Sequence, residues 1–302
     1  MSALFRSFRV WQLDAPWTRV GEGLAAALES SRFIGCGPGQ AESMGWVDVL
    51  EDHGLQREIS GASVLRVRIQ ERAVSGKALT EALEERVQEV EHLGGETVFG
   101  ARRRELADEV RATLLARAPT QSTRHWLVID REQGLVMIDS PTASTGEAIL
   151  SLLRGAVGSL PLRPLAFAHP IDGALTSWVR TGDLPRALEI GRWCDLEHPE
   201  DTPSKVRFRG YQLDKDEVTA ALDSRLRVTA LELIVDVGVN EPLHLTLSED
   251  GAFRRVRMPW EPGGSLEEET PLSRVDADLT LVVLGLRHLF GVLFPALGGR
   301  IA

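Results

Sequence analysis

Apolar and polar positions alternate with period two along several short runs of the chain and recur every three to four residues along others. The period-two runs predict strands over residues 4–13, 62–72, 186–197 and 205–213. Leu226–Val237, Leu243–Ser248 and Phe253–Met258 follow one another through short turns and predict a meander. Trp126–Asp130 and Leu135–Asp139 flank Arg131-Glu-Gln-Gly134, a hairpin pattern. Helical spacing marks residues 18–31, 144–157, Leu175–Thr181 and a segment from Asp214, placed to cap it, to about Ser224.

Lys77–His92 is a strong amphipathic helix. Leu79, Leu83, Val87 and Val90 share a side, and Glu81, Glu84, Glu85, Glu89 and Glu91 crowd the others. Gly94-Gly95 stops it. A second helix from about Ala101 to Ala118 opens with Arg102-Arg103-Arg104 and ends before Pro119. The two predict a helical hairpin. Strands joined mostly by short turns, interleaved with helices, favour an α+β fold over a doubly wound parallel sheet. A chain of 302 residues suggests two or three modules. The expected division is 1–74 and 121–170 as the two parts of a central β-rich module, 75–120 as the hairpin tip, and 171–302 as a base module.

Three strand runs carry arginine on alternate residues. Arg66 and Arg68, with Arg72 further along, lie opposite Leu65, Val67 and Ile69. Lys205, Arg207, Arg209 and Tyr211 lie opposite Val206 and Phe208. Arg255 and Arg257 are backed by Val256 and Met258. A face that is apolar on one side and cationic on the other suits phosphate binding, and equally suits a solvated outer face of a half-buried strand.

Net charge changes this picture less than it first suggests. Thirty-four basic residues against 44 acidic ones give −10. That argues against a chain coated in positive charge but not against a locally basic groove. All but three of the basic residues (Lys77, Lys205, Lys215) are arginine, which suits bidentate phosphate contacts and also follows from a GC-rich coding sequence. Cys36 and Cys194 stand in unrelated contexts, which predicts a reduced cytosolic chain without a disulfide framework or zinc site. The first residues show no signal-peptide core. Leu279–Leu297 is apolar but contains Arg287, His288 and Pro295, and reads as a buried or interfacial helix rather than a membrane span.

Catalytic motifs are sparse. Gly35-Cys-Gly-Pro-Gly39 lacks the spacing of a nucleotide loop, and Pro38 removes a donor where a phosphate cradle needs one. The seven histidines (53, 92, 125, 169, 198, 244, 288) lack ligand spacing. Asp130, Asp139, Asp276 and Asp278 are the acids that could hold a metal for a nuclease, but each also suits a turn or a helix start. No cofactor is expected.

A set of ordered motifs resembles the bacterial recombination-associated RdgC family along nearly the whole chain. It comprises Phe5-Arg-Ser-Phe-Arg-Val-Trp-Gln-Leu13, Cys36-Gly37 with Met44-Gly-Trp-Val47, Asp108-Glu-Val110 with Leu114-Leu115, and Trp126–Asp130 before Gly134–Asp139. Leu152-Leu-Arg154, Gly158-Ser-Leu-Pro161, Trp178-Val-Arg180 with Gly182, Asp276-Ala-Asp278 and Leu297-Gly-Gly299 complete it. The resemblance implies a curved multi-module subunit with mixed or antiparallel sheets and the helical hairpin as a projecting tip. Two such subunits would close into a ring-shaped homodimer around duplex DNA. It implies a non-enzymatic, sequence-independent binder of double-stranded, and also single-stranded, DNA, nucleoid-associated in the cytoplasm and off the membrane, that restrains RecA-driven strand exchange. Phosphate contacts are not carried over from the family residue by residue; the candidates, chosen from strand phase and the arginine cluster of the second hairpin helix, are Arg66, Arg68, Arg72, Arg102, Arg103, Arg104, Arg117, Lys205, Arg207, Arg209, Arg255 and Arg257. The family's tip contact, a gate with a Phe after the second hairpin helix, meets Pro119 here, and its partner segment reads Arg209-Gly-Tyr-Gln212, making Pro119, Tyr211 and Gln212 the gate positions. The alternatives are an acidic scaffold acting directly on RecA or another protein, and the metal-dependent nuclease.

Overall fold

A computed structural model describes residues 4–95, 97–200, 204–238, 241–260 and 270–301. The acidic loop Glu267-Glu-Glu269 lies outside them. The elements run β1 (Arg9–Leu13), α1 (Gly21–Glu29), β2 (Glu42–Val47), β3 (Gln56–Ile59), β4 (Ala62–Arg72), α2 (Gly76–Gly94), α3 (Gly100–Arg117), β5 (Thr120–Asp130), β6 (Leu135–Ile138), α4 (Ala143–Val157) and β7 (Leu162–Pro164). They continue with α5 (Ile171–Thr181), β8 (Leu188–Glu197), β9 (Lys205–Arg209), α6 (Asp216–Asp223), β10 (Arg227–Val235), β11 (Leu243–Ser248), β12 (Phe253–Arg257) and α7 (Pro271–Ala296).

The architecture is α+β, and its ladders are antiparallel. A seven-stranded sheet has the order β2-β4-β5-β6-β1-β7, with β3 also paired to β4. A five-stranded sheet has the order β12-β11-β10-β8-β9 and contains the expected meander. The long β4–β5 ladder runs in register from Ala62–Asp130 to Arg72–Thr120.

Alternation along β4 sorts its residues between two cores. Leu65, Val67 and Ile69 face α1 and α4, packing with Leu24, Leu28, Ile149 and Leu153. Ala62 and Val64 face the other way, into a core that the first sheet shares with α7 and the second sheet. There Leu279, Leu286, Phe290 and Phe294 of α7 meet Leu231, Leu233 and Leu245. Phe8, Phe253 and Phe290 form an aromatic cluster, with Phe8 stacked on Phe253 at 4.5 Å. The one described helix long and apolar enough to cross a bilayer is therefore the central core helix, as expected of Leu279–Leu297.

Two ion pairs fasten α7 to the first sheet. Arg287 donates to both oxygens of buried Asp130, at 2.7 and 2.9 Å, and to the Ser60 carbonyl at 2.7 Å. Arg57 of β3 grips Asp276 near the helix start. The hairpin of α2 and α3 instead packs mainly on itself, around Val87, Val98 and Leu106.

Several boundaries differ from the sequence expectation, each for a visible reason. Residues 4–7 turn rather than extend, because Leu4 and Phe5 fold into the core and Phe5 takes a left-handed φ of 54°. The 18–31 helix shortens to α1, starting at Gly21. Strand 205–213 ends at Arg209, where Gly210 turns left-handed (φ 65°). Lys215, not Asp214, occupies the cap position of α6, and Asp216 and Glu217 in its first turn supply the negative charge that suits a helix start. The terminal helix begins eight residues earlier than its apolar run, capped by Thr270 with Pro271 following. The expectation assigned no strand at β2, β3 or β7, and the last two are too short to show a period.

Removing Arg287 leaves the Asp130 carboxylate, 1% exposed, without its cation. Arg287→Ala should cost about 3–5 kcal/mol of stability, read as a lower urea midpoint, and an unchanged midpoint would refute this anchoring role.

Candidate nucleic-acid interface

Arginines on the open part of β4 occupy the face that carries Ala62 and Val64, beyond the point where the shared core covers it. Arg66 opposes Trp126, Arg68 opposes Arg124 and Gln70 opposes Ser122 across the β4–β5 ladder. The Arg66 guanidinium lies 4.8 Å from the Trp126 ring centroid, and that of Arg68 lies 4.6 Å from Phe33. Gly45 makes the second contact possible. A β-carbon there would collide with the Phe33 backbone, so glycine lets residues 31–33 run against β2, with Phe33 N–H donating to the Trp46 carbonyl at 2.8 Å. Arg68 also donates to Ser122 Oγ at 3.0 and 3.2 Å. None of these contacts neutralises the charge, and Arg124 has no hydrogen-bond or ion-pair partner among the described residues. Burial, followed by the Arg124 charge, holds Arg66 below the ordinary guanidinium range, with the Asp139 charge offsetting part of the fall.

The outer face of the second sheet repeats the device. Lys205, Arg207 and Arg209 oppose Glu197, Asp195 and Trp193 in register. The inner face carries Cys194 and Leu196, which are buried. Trp193 bears two guanidiniums, Arg209 at 4.4 Å and Arg255 at 3.2 Å from its centroid. Arg255 also donates to Thr246 Oγ1 at 3.1 Å. It has a left-handed φ of 52° beside a register shift in the β11–β12 ladder. That bulge puts Arg254 and Arg255 outward in succession while Phe253 and Val256 stay inside. Arg255 and Arg257 thus share the outer face, as expected.

Stacking matters because it fixes a guanidinium plane while leaving its N–H edge free. An exposed cation–π contact is worth only about 0.5–1 kcal/mol. It nevertheless removes rotamer freedom that a phosphate contact would otherwise have to freeze.

Other expected contacts differ in standing. Arg72 donates to the carbonyls of Ala116 and Ala118 at 3.3 and 3.0 Å and to that of Cys36 at 3.3 Å, so it closes the end of α3. Lys205 is bonded to Glu197 at 2.8 Å, and Arg102 to Glu105 at 2.9 Å. Arg207 is 3.9 Å from Asp195, a loose pair. Arg103, Arg104 and Arg117 are exposed on α3 without a carboxylate within ion-pair distance among the described residues. Pro119 is exposed between α3 and β5, and Gln212 is exposed after β9. Tyr211 does not continue the arginine face. Beyond Gly210 it turns back so that its ring lies 5.5 Å from that of Phe208, tilted by 30°, and its hydroxyl donates to Glu217. Trp126, Trp193, Phe33 and Arg124 were missed in the sequence. Arg124 was within reach, since it continues the alternation of β5 two residues upstream of the expected strand start at Trp126.

The four aspartates weighed for metal chemistry are dispersed. Asp130 binds Arg287, Asp276 binds Arg57, and Asp139 accepts from Trp126 N–H at 2.8 Å. Asp278 is buried on α7. No metal-sized cluster of His, Cys, Asp and Glu occurs among the described residues.

Beside Arg66, His125 Nδ1 sits 3.3 Å from the Asp139 carboxylate. Burial pulls His125 down, but the Asp139 hydrogen bond and charge outweigh it and hold the imidazole above its ordinary value. Burial pushes Asp139 up, with His125 offsetting part of the rise. A raised histidine pKa stabilises the fold below about pH 6.5 and loses that contribution as pH climbs through the folded value. Urea denaturation should therefore show the pair's contribution declining as pH rises above about 6.5. His125→Gln should flatten that slope, and an equal slope in the variant would sink the assignment.

Fold and surface together define an α+β protein with two antiparallel sheets, each displaying arginines held on aromatic rings rather than consumed in ion pairs. The sequence profile described as "Putative exonuclease, RdgC" matches residues 3–300, and the chain belongs to the RdgC family. It is similar to the recombination-associated protein RdgC of Shewanella sp. (strain ANA-3), with 29% identity over 98% of this chain and 97% of that one. It is 30% identical to that of Shewanella frigidimarina over 92% of each chain, and 27% identical to that of Aeromonas hydrophila over 98% of each.

Proposed function

We propose that this protein binds DNA without reading its sequence, encircles the duplex as a homodimer, and thereby restrains RecA-driven recombination on the nucleoid. The observation that carries this reading is the set of arginines held on Trp126, Phe33 and Trp193, without an ion-paired carboxylate among the described residues, in a chain whose net charge is −10. Rigid guanidiniums on strand faces suit phosphates, which position a protein on DNA but carry no base information. The names of the relatives tie the family to recombination. The hairpin supplies a surface for the second subunit. Leu93 and Phe99, 84% and 77% exposed, flank its turn, and large apolar side chains in water mark contact sites. Two contacts per subunit about a two-fold axis close a ring.

Fluorescence anisotropy of a labelled duplex of arbitrary sequence tests the binding step. Engaging six to ten phosphates, affinity should fall roughly 10³–10⁵-fold between 50 and 200 mM salt. Arg207→Glu with Arg209→Glu should weaken every sequence alike, and a loss confined to one sequence would mean base readout instead. Absence of binding at low salt would shift the reading to a protein scaffold using the acidic faces of α2.

The family description also names an exonuclease, and the engaged aspartates argue against it here. A linear duplex held with Mg²⁺ or Mn²⁺ should keep its length. Progressive shortening would replace DNA occupancy with nuclease action.

A further inference from the structure

A cleft of about 520 Å³ opens beside the β4 arginines, lined by Arg32, Phe33, Trp46, Val47, Asp48, Leu50, Glu51, Arg66 and Arg124. It falls in the size range of small-ligand pockets, roughly 300–1,000 Å³. Its donors are only partly used. Arg66 gives one N–H to the Val49 carbonyl at 3.2 Å, while its buried Nε has no acceptor. Arg124, four residues after the exposed start of β5, has no partner among the described residues. Such unmet donors beside two adjacent guanidiniums call for an anion.

The opposite wall has different chemistry. Arg32 is spent on Glu29 and Asp48, at 2.8 and 3.1 Å, and Glu51 stands exposed at the rim. Carboxylates there would repel a second phosphate and accept from exocyclic amino groups. A duplex backbone is convex and repeats its charge along a line, so it fits a flat strand face better than a concave cleft with acid at its rim. A single nucleotide offers what the cleft lacks: one phosphate for Arg66 and Arg124, and a base edge for the acidic wall.

We propose that this cleft is a subsite for one unpaired, phosphate-bearing nucleotide, as a strand end or a single-stranded stretch presents. The proposal rests on the DNA-binding reading above and adds a preference to it: the protein distinguishes unpaired from paired DNA at a place separate from the arginines of the second sheet.

Anisotropy titrations with a 5′-phosphorylated single strand and a blunt duplex of equal length, on the full chain and on Arg124→Ala, test it. Arg124 is exposed and unpartnered, so the variant should fold. The ratio of single-strand to duplex affinity should fall about ten-fold in the variant, equivalent to about 1.4 kcal/mol. A 2-aminopurine at the 5′ end should brighten on binding the native protein, as an unstacked base does, and less on binding the variant. Equal weakening of both DNAs, or no change in either, would overturn the subsite while leaving the DNA-binding reading in place. A free nucleoside monophosphate added as a competitor should lower that ratio for the native protein and leave the variant's unchanged, because the phosphate and base are shared. A native protein that binds neither DNA would overturn both proposals together.

Discussion

The structure depends on burying α7 in a core that both sheets share. One face of the helix meets the first sheet and another meets the second, so neither sheet face can be exposed without opening the helix. The hydrophobic term supplies the stability. Orientation comes from Arg287 on Asp130 and Arg57 on Asp276, which fix the helix relative to β3 and the β5–β6 turn. Asp130 also accepts from the turn N–H groups of Glu132 and Gln133 at 3.0 and 3.2 Å, so one buried carboxylate sets both turn and helix. An acid that the sequence offered for metal chemistry is thereby explained as a structural hinge point.

That core decides where the arginines are free. On β4 the same face is apolar where α7 and its surroundings cover it, at Ala62 and Val64, and cationic where they do not, at Arg66 and Arg68. On the second sheet the division is between faces: Cys194 and Leu196 turn inward and Arg207 and Arg209 turn out. In both places aromatic residues sit among the arginines. Trp126, Phe33 and Trp193 hold guanidiniums in fixed planes without cancelling their charge, which reconciles an acidic chain with locally positive faces.

The hairpin is built differently. Its interior is small, its N-terminal arginines crowd the start of α3 where a helix prefers negative charge, and large apolar side chains remain in water near its turn. Such an element gains more from a partner than it does alone. Arg72, one of the expected phosphate contacts, is instead the residue that ties the hairpin's end to the sheet, through carbonyls of residues 116 and 118.

Local pattern sufficed for much of this. The phase of β4 and β9, the amphipathic α2, the meander and the α+β class follow from periodicity, because side-chain direction repeats every two or 3.6 residues whatever surrounds the chain. Ordered motifs over the whole length carried the family. What periodicity could not reach was partnership. Arg66 meets Trp126 across 60 residues of chain, Arg287 meets Asp130 across 157, and Arg255 meets Trp193 only because a bulge resets the phase of β12. Gly210 similarly redirects Tyr211 away from the arginine face. The sequence by itself determined which residues share a face. Tertiary structure alone decided which charges on that face are neutralised, stacked or left open, because those outcomes depend on register between strands distant in the chain.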